Sequence, residues 1–222
     1  MVSKYVAEFF NTVSSFTYII FGIFGIFVAR KHNLETRWIL TCSSVIIVGV
    51  GSSIFHATLQ RVSQMLDELP MVLAIIHFSY LSLSLEEKRL NRLTIVSLTF
   101  VMFTIIIFYF LFFDNPAIFQ AMFITMVLFV IIRGGIHYNR RDTHETSRFL
   151  FEFGLICFII GAASWIIEPK ICDNWSYFQL HSWWHVFSCF GLVRNIFIIF
   201  FGISQFKPKN SISTYCTLNL AD

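Results

Sequence analysis

The sequence predicts an all-α integral membrane protein built as a bundle of seven transmembrane helices. Hydrophobic residues make up 56% of the 222 residues and charged residues only 13%, whereas a typical soluble domain is about 45–50% apolar and about 25% charged. The apolar residues also fall into seven segments, each close to the ~20 residues that cross a bilayer as a helix. We therefore expect a single transmembrane domain over residues 1–222, with a loose polar tail at 205–222.

These seven apolar segments define the expected helices. In chain order they are Tyr5–Ala29, Trp38–Leu59, Met65–Leu85, Leu93–Phe113, Ala117–His137, Phe149–Ile167 and Phe178–Ser204. The first is too long for a cleavable signal peptide, so we expect it to remain as a membrane anchor. Polar connectors mark the boundaries between the segments, and they cover residues 30–37, 60–64, 86–92, 114–116, 138–148 and 168–177.

Lysine and arginine residues are distributed unevenly between alternate connectors, and this predicts the orientation. Eleven lie on the side of the C-terminus, and three lie on the side of the N-terminus. The larger set is Arg30, Lys31, Arg37, Lys88, Arg89, Arg92, Arg140, Arg141, Arg148, Lys207 and Lys209, and the smaller set is Lys4, Arg61 and Lys170. By the positive-inside rule, the N-terminus is lumenal or outside and the C-terminus is cytosolic.

The same charge pattern bears on partners and location. The net charge of +3 is small, and the basic residues fall in loops without forming a patch, so we expect no nucleic-acid partner. Nothing in the sequence implies a protein partner. We predict a multi-pass protein of the endoplasmic reticulum or Golgi membrane, with the plasma membrane as the alternative.

A pair of histidines lies inside the last predicted span. His181 and His185 are four residues apart, so both imidazoles lie on one face of the helix. This is a spacing at which two side chains bind one metal ion. Polar residues inside a membrane helix are costly and usually functional. Taken alone, however, the pair fits a structural role as well as it fits a metal site.

Two other spans carry polar residues at the same predicted depth. His56 ends the second span, and Asp67 lies near the start of the third. Three histidines and a water form a catalytic zinc set, in which zinc lowers the pKa of its water to about 7. Asp67 is the candidate general base and acid. Ser52 shares a helix face with His56 and is the candidate donor to an oxyanion, with Ser53 as its rival.

Other polar and aromatic residues have simpler interpretations. Glu68 is one helical step, roughly 100°, from Asp67, so we expect it to support the site or to pack. We interpret His77 as a satisfied core residue. Trp183 and Trp184 are expected in the aromatic belt at the membrane interface.

Four motifs together resemble the alkaline ceramidases, a family of seven-span membrane hydrolases. They are Tyr5–Thr12, Gly51–Leu59, Leu66–Met71 and His181–His185, and they occur in the family's order. The run Leu-Asp-Glu-Leu-Pro-Met, which follows Phe-His-x-Thr, is the most specific of them. The resemblance extends from residue 5 to about residue 200.

The resemblance implies a zinc-dependent intramembrane amidase that takes ceramide from the bilayer and hydrolyses it to sphingosine and a free fatty acid. It implies zinc ligation by His56, His181 and His185. It also implies that Asp67 is the activating carboxylate and that Ser52 stabilises the transition state. The substrate and the amide bond that is cleaved come from the resemblance alone.

A calcium site is also implied, but this chain has only part of it. In the family, an acidic segment ahead of the first span binds calcium together with the Glu of a Glu-Phe-x-Asn-Thr motif. Glu8 matches that Glu and is the calcium candidate by resemblance, but only seven residues precede it, without the acidic ligands. Because Ca²⁺ takes roughly 6–8 oxygen ligands, we predict no tight calcium site.

Three other functions remain open. A zinc-containing seven-span receptor of the adiponectin type is expected with the opposite orientation. A lipid-remodelling hydrolase of the GPI-anchor pathway shares the scaffold but cleaves an ester. A proton-coupled transporter uses histidines to relay protons and needs no stoichiometric metal. The Leu66–Met71 motif favours the ceramidase, and the distribution of basic residues argues against the receptor.

Overall fold

The structure, a computed structural model, describes residues 5–84, 92–138, 145–175 and 178–205. These residues form seven α-helices, and none of them lies in a β-strand. The helices are α1 (Phe9–Lys31), α2 (Thr36–Thr58), α3 (Arg61–Ser84), α4 (Arg92–Leu111), α5 (Pro116–Tyr138), α6 (Glu145–Trp175) and α7 (Leu180–Gln205). The all-α prediction is confirmed, and each helix overlaps one predicted span. The tail predicted beyond Gln205 lies outside the described residues.

Among the described residues, six helices are long and apolar enough to cross a membrane, and they are α1 to α6. Large apolar side chains cover the outside of the bundle. Phe100 and Leu93 are each 71% exposed, and Ile132 is 62% exposed. Exposing such a surface to water costs roughly 25 cal/mol per Å², so it suits contact with lipid. The chain is a multi-pass membrane protein, while the seventh crossing and the orientation stay predictions.

The first and last helices pack against each other, which brings residues distant in sequence to one place. α1 also packs on α2, α2 on α3, and α6 on α7, whereas α4 and α5 join the bundle mainly through α3. The largest core cluster lies where α1, α2, α3, α5 and α7 meet, and it includes Tyr18, Val48, Phe78 and Val130. Cys189 is buried in the same cluster as a free thiol and behaves as a small apolar residue.

α2 and α3 approach closely beside the predicted site. A Cβ atom at Gly51 would lie 1.7 Å from the carbonyl oxygen of Leu66, so no larger residue fits there. Pro70 lies within α3 and has no N–H for the Leu66 carbonyl four residues before it. The Leu66 carbonyl therefore lacks its helical N–H donor, and it faces Gly51. This contact brings Ser52 on α2 beside Asp67 on α3.

Candidate metal centre

Three histidines meet at one end of the bundle. His56 lies in the last turn of α2, and His181 and His185 lie in the first turns of α7. Their candidate ligand nitrogens all lie within 4.8 Å of one another. The ring centroids are 4.8 Å apart for His56 and His181, 5.0 Å for His56 and His185, and 4.7 Å for His181 and His185.

The ring of His56 is held by a carboxylate. Its Nδ1 lies 2.6 Å from Oε2 of Glu8, and the residue is 3% exposed. The other ring nitrogen, Nε2, is buried and has no hydrogen-bond partner among the described residues. A buried polar atom without a partner is costly, and a metal ion bound to Nε2 would remove that cost.

His181 is held by a second carboxylate, from α6. Nδ1 of His181 lies 3.1 Å from Oε2 of Glu168, and the backbone N–H of His181 donates to Oε1 at 3.3 Å. Such a carboxylate orients a histidine ligand and increases its basicity. Glu168 thereby orients both the ring and the first turn of α7.

His185 is held by hydroxyl groups instead. Its Nδ1 lies 2.8 Å from Oγ of Ser14 and 3.3 Å from Oγ of Ser15, both on α1. All three histidines thus use Nδ1 for hydrogen bonding, which leaves Nε2 of each available to a metal ion. Three imidazole nitrogens at this separation could hold a metal ion, and they match the donor set of catalytic zinc.

The segment ahead of α1 attaches Glu8 to α2. The backbone N–H groups of Ala7 and Glu8 donate to the carbonyls of Ala57 and His56 at 3.1 and 3.0 Å, satisfying carbonyls that the end of a helix leaves free. Oε2 of Glu8 also accepts from Nδ2 of Asn11 at 3.0 Å. The hydrogen bond with His56 lowers the pKa of Glu8 below its usual value, the Asn11 bond acts likewise, and burial opposes both. Glu8, the calcium candidate, thus uses this oxygen to orient a histidine.

A cavity of about 190 Å³ adjoins the histidines, and Ser52 and Asp67 line it. Ser52 is 1% exposed, accepts a hydrogen bond from Oγ of Ser15 at 3.0 Å, and lies beside the Asp67 carboxyl. Its rival Ser53 donates to the carbonyl of Gly49 at 2.7 Å. Of the two serines, Ser52 is therefore the one that faces the cavity.

Comparison with known proteins bears on what this arrangement is for. A family model described as Ceramidase matches residues 1–217. The chain is 30% identical to alkaline ceramidase 3 of Mus musculus, with 94% of this chain and 84% of the relative aligned. The chain belongs to the ceramidase family. It is also 29% identical to the alkaline ceramidase of Arabidopsis thaliana, over 93% of this chain and 83% of the relative. Identity to alkaline ceramidase YPC1 of Saccharomyces cerevisiae is 28%, over 86% and 70%. The predicted family is confirmed.

Part of this ceramidase-family site was not anticipated from the sequence. Glu168 and Ser14, which orient two of the histidines, were not among the candidates. α1 does carry a signal, because Asn11, Ser14, Ser15 and Tyr18 recur at helical spacing in an otherwise apolar helix. Glu168 has no comparable pattern, since it is a single carboxylate near the end of a predicted span.

The expectation for the two tryptophans is wrong in one case. Trp183 is 50% exposed, as an interface residue would be. Trp184 is only 5% exposed and stacks on Trp165, with ring centroids 4.9 Å apart and an interplanar angle of 14°. Successive helical residues point about 100° apart, so only one of the pair can face outward.

A second, apolar cavity of about 70 Å³ adjoins the polar one in this ceramidase-family chain. Tyr18, Val48, Met71 and Trp184 line both cavities. Further from the histidines the apolar cavity is lined by side chains of α3, α5, α6 and α7. The hydroxyl of Tyr18 lies 2.6 Å from Oγ of Ser188, which satisfies both groups at this boundary.

Proposed function

We propose that the protein hydrolyses the amide bond of ceramide at a zinc centre formed by His56, His181 and His185. Its membership of the ceramidase family makes it a ceramide amidohydrolase, a hydrolase of linear amide bonds in sphingolipid metabolism. The observation that carries the zinc-dependent mechanism is the cluster of three histidines, two of which line one cavity together with Ser52 and Asp67. The family favours this function over the receptor, the GPI-anchor hydrolase and the transporter.

Each residue has a distinct part in the proposed reaction. Zinc, when bound, would supply a Lewis acid and a water acidic enough to act as a nucleophile near neutral pH. Asp67 accepts the proton of the attacking water and later gives it to the departing amine. The Ser52 hydroxyl donates a hydrogen bond to the carbonyl oxygen as that oxygen gains negative charge.

The surroundings of the cavity support a lipid substrate. Ceramide is dissolved in the bilayer, so its two chains reach the centre sideways between helices. The apolar cavity next to the polar one gives a hydrocarbon chain a place when the amide lies at the histidines. The proposal includes the predicted orientation, with the site in the lumenal half of the membrane and the C-terminus in the cytosol.

Metal content and ceramide turnover, measured on one purified preparation, test the proposal. We expect about one zinc per chain, release of fatty acid and sphingosine, and loss of turnover on chelation that zinc restores. His56→Ala should lose the metal and at least about a thousandfold in turnover. The control is His77→Ala, a histidine of α3 outside the cluster, which should keep both.

Several outcomes would contradict the proposal. Full turnover without metal would exclude the zinc mechanism, and metal binding with cleavage of lipid esters alone would favour the GPI-anchor hydrolase. A metal-free protein that moves protons would favour the transporter. A C-terminal tag found on the lumenal side would reverse the orientation.

A further inference from the structure

Apart from Tyr18, whose hydroxyl is paired with Ser188, two polar side chains line the polar cavity without a part in the proposed reaction. They are Glu68 on α3 and Gln120 on α5, and we refer to them as the Glu68–Gln120 wall. We expected Glu68 only to support the site or to pack, yet it lies on the cavity surface. Ligand pockets are mostly apolar, and the few polar groups on their walls fix the orientation of the ligand.

Glu68 keeps acceptor capacity on the cavity side. Nε2 of Gln64 lies 3.2 Å from each of its carboxylate oxygens, whereas a carboxylate offers about four acceptor positions. The hydroxyl of Tyr109 lies beside the same carboxyl. Tyr109 is 3% exposed, so its buried hydroxyl is placed to donate to this carboxyl and to fill one further position. With Gln64 and Tyr109 both counted, Glu68 keeps about one acceptor position for a ligand.

The two carboxylates of α3 divide the cavity between them. Asp67 faces His56 and His181, while Glu68 lies towards Tyr109 of α4 and shares the cavity surface with Gln120 of α5. Adjacent helical residues are roughly 100° apart, so both can face one cavity in different directions. The space in which a substrate held at the histidines and Asp67 would lie is therefore also bordered by the Glu68–Gln120 wall.

Ceramide has such groups. Its amide nitrogen is attached to a carbon flanked by a primary and a secondary alcohol, so two O–H donors lie beside the leaving amine. We infer that the Glu68–Gln120 wall binds these hydroxyls and thereby selects ceramides over other N-acyl amines. This inference rests on the proposed function, since it assumes an amide at the histidines. A site that hydrogen-bonds a substrate hydroxyl discriminates well against analogues without that hydroxyl, because its buried polar groups are then left unpaired.

The test compares two lipids in several variants. Ceramide and its 1-deoxy analogue, which lacks the primary hydroxyl, carry the same acyl chain, and kcat/KM is measured for each. The wild type should prefer ceramide by at least about tenfold. Glu68→Gln and Gln120→Leu should each lower that ratio by roughly threefold to tenfold, mainly by slowing ceramide turnover. Glu35→Gln, the same substitution at an exposed residue ahead of α2, should leave the ratio unchanged.

Each result decides between alternatives. If Glu68 only stabilises the helices, both lipids lose turnover by the same factor, the ratio stays constant, and the inference is overturned. Equal turnover of both lipids by the wild type also overturns it, while the proposed function stands. Failure to hydrolyse either lipid overturns the proposed function, and the selective role of the wall with it.

Discussion

In the membrane-crossing stretch of α2, 50% of the residues are buried inside the protein, whereas only 11% are buried in the corresponding stretch of α4. α2 buries Thr41, Ser44, Ser52 and His56 together with apolar residues, while the buried residues of α4 are Ile105 and Tyr109. α2 belongs to a packed polar framework with α1, α3 and α7. α4 is mainly a lipid-facing helix, and none of its residues lines either cavity. The difference therefore separates the helices that form the candidate site from a helix that faces the lipid.

Among substitutions in the polar framework that leave the metal in place, Asp67→Asn should lower turnover most. The amide cannot take a proton from water, so we expect kcat to fall by about 10²–10⁴-fold with unchanged zinc content. Elemental analysis measures the zinc content, and single-turnover kinetics measures the rate of hydrolysis. Removal of a zinc ligand should lower both the zinc content and the rate, so the two measurements distinguish Asp67 from a ligand. Wild-type kcat in this variant would show that the proton is handled elsewhere.

Removing the groups that orient the histidines should weaken metal binding less than removing a histidine itself. Glu168→Ala should lower zinc affinity by about 10–100-fold, with Glu168→Gln in between because its amide oxygen can still accept from Nδ1 of His181. Ser14→Ala should cost less than either, since Ser15 remains 3.3 Å from His185. Competition with a chelator measures all three affinities. Equal losses in Glu168→Ala and Ser14→Ala would contradict the distinction between carboxylate and hydroxyl support.

Glycine-to-alanine changes in the two parts of the bundle should differ in stability. Gly51→Ala places a methyl group against the Leu66 carbonyl and should cost about 1–3 kcal/mol. Gly135→Ala in α5 meets only the ring of Phe151, at 3.9 Å, and should be neutral or gain up to about 1 kcal/mol from helix propensity. Reversible unfolding in detergent compares them. Equal stability of the two variants would mean that α2 can move away from α3 at little cost.

Local patterns were sufficient to predict most of the fold. Each helix coincides with an apolar run bounded by charged or turn residues, because a bilayer requires about 20 apolar residues per crossing whatever the neighbouring helices are. The boundaries differ where local signals are weak. The first helix was predicted from Tyr5 but begins at Phe9, because residues 7 and 8 bond to the end of α2 instead of starting a turn.

The candidate site was predictable only in part. His56, Asp67, His181 and His185 stand out because ionisable residues are rare in membrane helices. The partners of the rings depend on which helices touch, and no local pattern reports that α1 lies between α2 and α7 or that Glu168 reaches the start of α7. Glu68 was expected only to support the site, because it lies roughly 100° from Asp67 around the helix. The sequence does not report that the cavity is wide enough for both side chains to reach its surface.

Glu8 and His185 lie almost at opposite ends of the described chain, yet both belong to one centre, and the first and last helices touch. During synthesis, a nascent chain that has inserted its first six segments already carries His56, Asp67 and Glu168, but it has a single imidazole at the centre. A metal ion bound by all three proposed ligands would therefore be captured only after α7 has been synthesised. On the proposed mechanism, a chain that stops before α7 would lack two of the three ligands and would have no hydrolytic activity, so the membrane would receive active enzyme only once the last helix has been translated.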